Sequence, residues 1–484
     1  MNRKTALILT GAAGLIAVAA IFTPRSNLAG TSRMATPVEP GPSLAHLCTG
    51  AAQPADQKAA FGYGDLHAAL SSQKILQGSN GEMFLAVDFA AAAQKVAERP
   101  PMSLALVIDR SGSMSGEKLE QAKQAAIGMV ERLTVRDRVA VVQYDDAAQV
   151  LLPSITLDAM GKARARATIE RIVEGGGTNL HDGMALGRDE VLRAPLSGAL
   201  QRVILLSDGN ANAGIVDQPT LSQVASQASE RGVRITTVGL GLDYNEDLME
   251  ALAEHGRGQY YYVQNAGELQ AVFAGEFRNL QATVATNAEI RLAPACDGVD
   301  ILEVYGYNTT QEGNELVVRM ADIIGGDERK LVARLRAPAG VLGTMNAVRV
   351  TMNYSDAKTG AQRSAAIVVG AEISSDAAAV ERSASTEVVK AAMEVESARA
   401  IREAAQAYQQ GDVARAGMIN RKWRDEAAKK ASHYNVPAAE AAVMLDGLDK
   451  QDADMKAYSP GSSMGKDLVK GSKLKARVMS KQKR

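Results

Sequence analysis

Cysteine, histidine and aromatic residues are scarce in this chain, and their scarcity excludes several kinds of site. The 484 residues include two cysteines and five histidines, and they contain no CxxC motif. A structural zinc site is therefore not expected. Aromatic residues make up 4% of the chain, so its cores must consist mainly of aliphatic side chains. The formal net charge of −1 provides no overall field that would attract nucleic acid, and we expect no nucleic-acid partner.

Charged residues are also missing from residues 5–22, a mostly apolar run of 18 residues that follows Arg3 and Lys4. This pattern predicts a signal peptide or a membrane anchor over residues 1–22. A helix of that length would be about 27 Å long, barely enough to span the hydrocarbon core. Residues 17–19 offer a small-x-small cleavage site, but the apolar run continues past them. We expect an exported protein, periplasmic or extracellular, that stays on the membrane if this segment is not cleaved.

The two ends of the remaining chain have biased compositions. Residues 23–60 are rich in Pro, Gly, Ser, Thr and Ala, which predicts a linker. Residues 459–484 form a basic tail, with eight Lys or Arg and one acidic residue from position 466 onward. Such a tail is either solvated or in contact with an acidic surface. An oxidising compartment would permit a bond between Cys48 and Cys296, but two unpaired thiols are equally compatible with the sequence.

Residues 101–282 alternate strand-like and helix-like segments. Several of the strand candidates are continuous apolar runs, as expected for a parallel sheet that is buried on both faces. Repeated βα units predict a doubly wound α/β domain, whose ligands bind beyond the carboxyl ends of the strands. The strand candidates are residues 104–108, 138–144, 202–206, 234–240 and 259–263.

The segments on either side of this domain have different patterns. Residues 283–372 contain strand-like runs separated by Gly, Asn and Asp turns, which predicts an antiparallel β-sandwich. Strands within 61–100 are expected to join the same sandwich, so that the α/β domain is an insertion in it. Residues 374–458 are rich in Ala, Glu and Arg and predict a helical region with a long helix over 377–410. Gly411 and Asp412 are typical of a helix end followed by a new helix start.

Residues 104–116, LALVIDRSGSMSG, are the most informative segment of the chain. An apolar strand ends at Asp109, and Ser111 and Ser113 follow at alternate positions in a glycine-containing loop. One carboxylate and two hydroxyl groups at a strand end are hard oxygen ligands of the kind that Mg²⁺ prefers.

Two further segments match this pattern. Residues 175–180, GGGTNL, place Thr178 in a glycine-rich loop before a helix, and residues 203–209, VILLSDG, end an apolar strand at Ser-Asp-Gly with Asp208. Together the three segments resemble the metal-ion-dependent adhesion site of von Willebrand factor type A (VWA) domains, as found in bacterial exported or membrane-anchored members. The resemblance implies a Rossmann-like fold and a site for Mg²⁺ or Mn²⁺. Its implied ligands are Asp109, Ser111, Ser113, Thr178 and Asp208.

The resemblance also implies a function. An Asp or Glu side chain of a partner protein would complete the coordination of the cation, and the output would be protein binding or adhesion at the cell envelope. Two alternatives remain: a hydrolase or peptidase that uses the cation and His181, or a scaffold that the cation only stabilises. The chain has no HExxH motif, so we expect no enzyme. Asp145 and Asp146 are interpreted as a hairpin turn, with a second cation site as the alternative.

Overall fold

The computed structural model describes residues 53–93 and 99–482, which lie in one compact unit spanning 44–484. The predicted signal or anchor over 1–22, most of the predicted linker and Cys48 lie outside the described residues. Cys296 is disulfide-bonded. Within the described ranges, no helix has the length and apolar character needed to cross a membrane.

Four strands precede the α/β domain. Strand-like runs are evident in the sequence only at residues 73–76 and 82–89, because residues 56–70 are rich in alanine and polar residues, which have a low strand propensity. Pairing with neighbouring strands stabilises them instead, and the predicted linker is wrong over residues 56–60, which belong to the first strand. The strands are β1 (Asp56–Phe61), β2 (Gly64–Leu70), β3 (Lys74–Leu76) and β4 (Glu82–Ala91).

The predicted doubly wound α/β domain is confirmed. Its six-stranded sheet has the order β10-β9-β8-β5-β6-β7, and every neighbouring pair is parallel except β6–β7. The strands are β5 (Met102–Asp109), β6 (Arg138–Tyr144), β7 (Ala148–Thr156), β8 (Leu200–Ser207), β9 (Val233–Leu240) and β10 (Arg257–Val263). The helices are α1 (Glu117–Arg132), α2 (Ala159–Glu170), α3 (Leu180–Arg193), α4 (Gln218–Glu230), α5 (Glu246–His255) and α6 (Leu269–Gln281).

The central strand β5 explains how this domain is packed. All eight of its residues are buried, and alternate side chains face opposite sides of the sheet. Leu104 and Leu106 belong to a core shared with α1, α2 and α6, whereas Ala105 and Val107 belong to a core shared with α3, α4 and α5. The sequence analysis missed the edge strand β7 and helix α2, because both bury few side chains and their apolar periodicity is weak.

The sandwich consists of two sheets that share one core. Their strand orders are β1-β2-β4-β16-β12 and β13-β14-β11-β17-β18-β3, and β15 pairs with β11. Because β4 pairs with β16 and β3 pairs with β18, strands from before and after the α/β domain share both sheets. This is the arrangement that the insertion hypothesis describes. The strands are β11 (Thr283–Pro294), β12 (Asp300–Tyr305), β13 (Thr309–Glu312), β14 (Glu315–Arg319), β15 (Ile323–Ile324), β16 (Glu328–Arg336), β17 (Gly343–Asp356) and β18 (Gln362–Ser374).

Five helices follow the sandwich. The helix predicted over 377–410 is broken, because the Ser385 side chain accepts a hydrogen bond from the Val388 amide and starts a new helix. The predicted start at Asp412 is confirmed, since its carboxylate accepts a hydrogen bond from the Arg415 amide. The helices are α7 (Ala377–Arg382), α8 (Thr386–Gln409), α9 (Val413–His433), α10 (Ala438–Ala457) and α11 (Ser463–Lys481).

Helix α11 corrects the expectation of a solvated basic tail. Lys470 and Lys473 are buried, and each ammonium group lies 2.8 Å from the carboxylate of Glu246 on α5. Lys481 lies 2.8 Å from Glu254, on the same acidic face of α5. The sequence analysis left contact with an acidic surface open but did not expect that surface to belong to the chain itself. The helical region therefore continues to Lys481.

Candidate metal centre

Asp109 is the last residue of β5, at the carboxyl-end edge of the sheet, and it is fully buried. The Ser111 amide donates to Asp109 Oδ1 over 2.8 Å, and the Ser207 hydroxyl donates to Oδ2 over 2.7 Å. Burial raises the pKa of Asp109 to about 6, although the hydrogen bonds from Ser111 and Ser207 act in the opposite direction. A nearby positive charge would offset the cost of keeping this carboxylate ionised. The sequence analysis did not single out Ser207, whose hydroxyl orients the carboxylate.

The serine loop and the end of β8 are in direct contact. The Ser113 hydroxyl donates to Asp208 Oδ1 over 2.7 Å, and the hydroxyl oxygens of Ser111 and Ser113 are 3.2 Å apart. Asp208 directly follows β8, and its side chain is buried. The first and third sequence motifs therefore form one polar cluster, because β5 and β8 are adjacent parallel strands that end at the same edge.

Thr178 reaches the same cluster through the glycine-rich loop. Gly209 follows Asp208, and a Cβ added there would lie 3.3 Å from Ser113 Oγ and 3.5 Å from Thr178 Oγ1. Hydroxyl oxygens from the first and second motifs therefore both lie beside the backbone of the third. The Thr178 amide donates to Asn212 Oδ1 over 2.7 Å, and this bond fixes the end of the loop.

The loop contains three successive glycines because it packs against two carboxylates. A Cβ on Gly175 would collide with Asp145 Oδ2, and one on Gly176 would collide with Asp146 Oδ2. Asp146 Oδ1 also accepts from the Gly177 amide over 3.0 Å. Asp145 and Asp146 lie between the antiparallel strands β6 and β7, as the hairpin interpretation requires. They position the glycine-rich loop.

Lys118, on the first turn of α1, is the residue that the sequence analysis missed. Its ammonium group forms an ion pair with Asp208 Oδ2 and donates to the Ser113 carbonyl oxygen over 3.1 Å. A lysine early in a helix gives no sequence signal for this contact, since its long side chain can point in many directions. The Lys118 ammonium places a positive charge on the oxygen cluster.

The donor set fits a small divalent cation. Two carboxylates and three hydroxyl groups gather at one edge of the sheet, and a cationic side chain of the protein already contacts this cluster. Among the described residues, no three His, Cys, Asp or Glu side chains are grouped so as to hold a metal. A site here would therefore depend on hydroxyl ligands, as Mg²⁺ or Mn²⁺ permits.

His181 lies near this site, on the first turn of α3, but its imidazole contacts Asp182 and none of the predicted ligands. Its Nδ1 lies 2.8 Å from Asp182 Oδ1, and about a fifth of its side chain is exposed. Among the described residues, no histidine forms a hydrogen bond with any of the five predicted ligands.

Comparisons with known proteins identify the domain that carries this cluster. A family model described as the von Willebrand factor type A domain matches residues 103–275. An uncharacterised protein of Synechocystis, sll0103, is 29% identical over 306 residues, which are 61% of this chain and 72% of that protein. YfbK of Escherichia coli, also uncharacterised, is 34% identical over 215 residues, which are 44% of this chain and 37% of that protein.

A solved structure is similar over most of the chain. The von Willebrand factor type A protein from Catenulispora acidiphila superposes with a TM-score of 0.68 and covers 89% of this chain and 99% of its own. At 18% sequence identity, this likeness concerns the fold alone. The sequence motifs, the matched family model and the strand order agree, and the chain therefore carries a von Willebrand factor type A domain over residues 103–275.

Proposed function

We propose that this protein binds a protein partner through a divalent cation held at the carboxyl-end edge of the VWA sheet. Protein–protein interaction, often metal-dependent, is the known role of this domain family. One observation supports the proposal most strongly: the Ser113 hydroxyl donates a hydrogen bond to Asp208 over 2.7 Å. Its oxygen also lies 3.2 Å from the hydroxyl oxygen of Ser111, which follows the buried Asp109 by two residues. Two segments far apart in sequence thus direct oxygen atoms to one point, and Thr178 of a third segment lies beside Gly209 at the same place.

The charge balance of the cluster favours a ligand-accepting cation. Asp109 and Asp208 would neutralise a divalent ion, while Ser111, Ser113 and Thr178 would occupy coordination positions without adding charge. A bound Mg²⁺ or Mn²⁺ would supply a Lewis acid with a position open to a further oxygen ligand. An Asp or Glu side chain of the partner is the ligand that we propose for this position.

Binding, rather than catalysis, is the proposed output. Hydrolysis would need a base in contact with the reacting group. The hydrogen-bond partners of Asp109 and Asp208 in the described structure are instead hydroxyl groups, a backbone amide and an ammonium group. These groups hold the carboxylates in place, as a cation-binding role requires.

We also propose that the protein works in the cell envelope, outside the cytoplasm. The charged start and apolar run of residues 1–22 support export. The disulfide at Cys296 supports an oxidising compartment, since structural disulfides are rare in the cytosol. Cell fractionation with an antibody, and thiol alkylation before and after reduction, would test this location.

The test of binding uses the full chain as bait against membrane and soluble fractions of the source cells. Wild type and Asp109→Ala are compared, each with Mg²⁺ and with EDTA, and circular dichroism checks that the variant is folded. We expect partners that are lost both on mutation and on chelation. A partner list that is the same in all four samples would refute metal-bridged recognition.

A second variant separates the metal from the fold. Asp145→Asn changes a carboxylate that positions the glycine-rich loop but is not a proposed ligand. We expect it to retain some cation-dependent capture, whereas Asp109→Ala retains none. Equal loss in both variants would indicate that the edge of the sheet is structurally fragile and that a bound cation has no bridging role.

A further inference from the structure

A cavity of about 140 Å³ lies where the VWA domain, the sandwich and α11 meet. It is lined by the start of β10, and thus lies at the amino-end edge of the parallel strands, opposite the edge that holds Asp109. Tyr307 and Gln482 also line it. The proposed function makes no use of this junction.

The described lining of the cavity is strongly cationic. Glu254 and Asp327 are its only carboxylates among the described residues, and both are already paired: Glu254 with Lys481 at 2.8 Å, and Asp327 with Arg329 at 2.5 Å. Two further cations pair with carboxylates outside the lining, Arg319 with Glu312 and Arg477 with Glu250, so one cation of the described lining is left without a carboxylate partner. The five cationic residues of the lining are Arg257, Arg319, Arg329, Arg477 and Lys481.

Arg257 is the least compensated of these residues. It is partly buried, and its guanidinium group forms no hydrogen bond or ion pair with any described residue. Burial, together with the like charges of Arg234 and Arg319, lowers the pKa of Arg257 to about 10, so the group is still charged at neutral pH. A partly buried, unpaired charge costs stability unless a counter-ion satisfies it.

The backbone of Arg257 adds a second cost. Its φ is +51°, in the left-handed region that glycine adopts freely and other residues rarely adopt. Glycine would relieve both the strained φ and the repulsion between guanidinium groups. An arginine at this position therefore destabilises the fold unless an anion binds its guanidinium group.

We propose that this cavity binds the phosphate group of a small ligand, with Arg257 as its main contact. Guanidinium groups match the geometry of phosphate oxygens and can bind them in pairs. A phosphate group also offers more acceptor oxygens to this cationic lining than a monocarboxylate does. The cavity has room for several water molecules, and hence for one phosphate.

A neighbouring cavity of about 610 Å³ leaves space for the rest of the ligand. It shares Glu254, Tyr307, Arg477 and Lys481 with the smaller cavity. A phosphate monoester could therefore place its phosphate beside Arg257 and its organic part in the larger space. Such a ligand would contact β10, the sandwich and α11 at once, and would hold the three regions together.

Isothermal titration calorimetry of the full chain in phosphate-free, chelator-treated buffer tests the proposal. Titration with inorganic phosphate and with glycerol 3-phosphate distinguishes binding of free phosphate from binding of a monoester. Citrate tests whether carboxylates bind as well. Sodium chloride at equal ionic strength tests whether the effect is only salt screening of charges. We expect one phosphate-type ligand per chain and at least about tenfold weaker binding by Arg257→Gly, since a charge-assisted contact is lost. The exposed Arg349 on β17 provides the matched control Arg349→Gln, which should bind like wild type.

Thermal unfolding separates this role from a structural one. Without ligand, Arg257→Gly should melt at or above the wild-type temperature, because glycine relieves the left-handed backbone. Millimolar phosphate should raise the melting temperature of wild type and of Arg349→Gln, but not that of Arg257→Gly. The proposal fails if phosphate gives no binding heat, if chloride gives the same effect, or if Arg257→Gly responds like wild type.

Discussion

The ammonium group of Lys118 and the carboxylate of Asp208 form an ion pair at the edge of the VWA sheet. The carboxylate is buried, whereas the lysine side chain is 38% exposed and reaches the pair from the first turn of α1. A divalent cation that uses Asp208 as a ligand would compete with this ammonium group. Lys118 would therefore weaken the proposed binding of a cation at Asp208.

Removal of Lys118 should raise the affinity for divalent cations. In Lys118→Met the charge is lost and the aliphatic length is kept, so a cation no longer has to displace an ammonium group. We expect Mg²⁺ and Mn²⁺ to bind roughly three- to tenfold more tightly, because the exposed lysine is partly screened by solvent. Calorimetric titration with each cation measures the change.

The exposed Lys429 on α9 serves as the control for the loss of one positive charge. Lys429→Met should bind cations as wild type does. Weaker binding by Lys118→Met would mean that the lysine supports the site rather than competing for it.

Gly209 should be required for cation binding but not for folding. An alanine there would place its Cβ in ordinary contact with Thr178 Oγ1 at 3.5 Å but only 3.3 Å from Ser113 Oγ, so the Ser113 hydroxyl would have to shift by a few tenths of an ångström. We expect Gly209→Ala to bind Mg²⁺ about tenfold more weakly with an unchanged circular dichroism spectrum. Gly471→Ala, on α11 with nothing within 4 Å of the added Cβ, is the matched control. Unchanged Mg²⁺ affinity in Gly209→Ala would count against Ser113 as a cation ligand.

The contact between α11 and α5 should weaken in acid. Burial alone would raise the pKa of Glu246, but the ammonium groups of Lys470 and Lys473 outweigh burial and lower it to about 2. A group whose pKa is lower in the folded state stabilises the fold above its unfolded pKa of about 4.5, and this contribution is lost as the pH falls toward 2. Glu246→Gln should therefore cost about 1–3 kcal/mol near neutral pH and should lose less stability in acid than wild type does.

Urea unfolding between neutral pH and about pH 3 measures this dependence. Glu328→Gln changes an exposed acid on β16 and should keep the wild-type pH profile. A wild-type profile in Glu246→Gln would show that the lysines of α11 dock without this carboxylate.

Asp322 joins the VWA domain to the sandwich. It accepts from Arg202 over 3.1 Å and from Arg234 over 3.0 Å, and all three side chains are buried. Asp322→Ala would leave two buried guanidinium groups without this partner, at a cost of about 3–5 kcal/mol. Chemical denaturation should show the loss, and cation affinity should change little, because Asp322 lies at the opposite edge of the sheet from Asp109. A stability loss below about 1 kcal/mol would mean that water or Glu276 replaces the carboxylate.

The candidate site could be predicted because its residues follow strand ends. Asp109 and Asp208 terminate apolar runs, and parallel strands place such ends at one edge, so the sequence order implies the contact. Lys118 and Ser207 could not be found in this way. Their roles depend on the direction of a flexible side chain and on one hydroxyl rotamer, neither of which has a periodic signal.

The fold could be predicted where the apolar residues follow a clear pattern. It could not be predicted where a segment becomes a strand only by pairing with another strand. Strand β5 is apolar throughout and was expected, whereas β1 forms from Asp, Gln, Lys and Ala because β2 is available as a partner. The basic character of α11 resembled that of a solvated tail, since nothing local reveals that the acidic face of α5 receives its lysines. Long-range charge complementarity of this kind becomes visible only once the chain is folded.

The insertion of the VWA domain between β4 and β11 has a mechanical consequence. One of these strands belongs to the five-stranded sheet and the other to the seven-stranded sheet, and only Ala282 separates α6 from β11. Tension applied by a partner at the carboxyl-end edge of the VWA sheet would be transmitted to the sandwich through β4 and β11 at once. The load would be divided between two sheets and carried along rows of hydrogen bonds in shear, so the sandwich would act as an anchor that resists pulling.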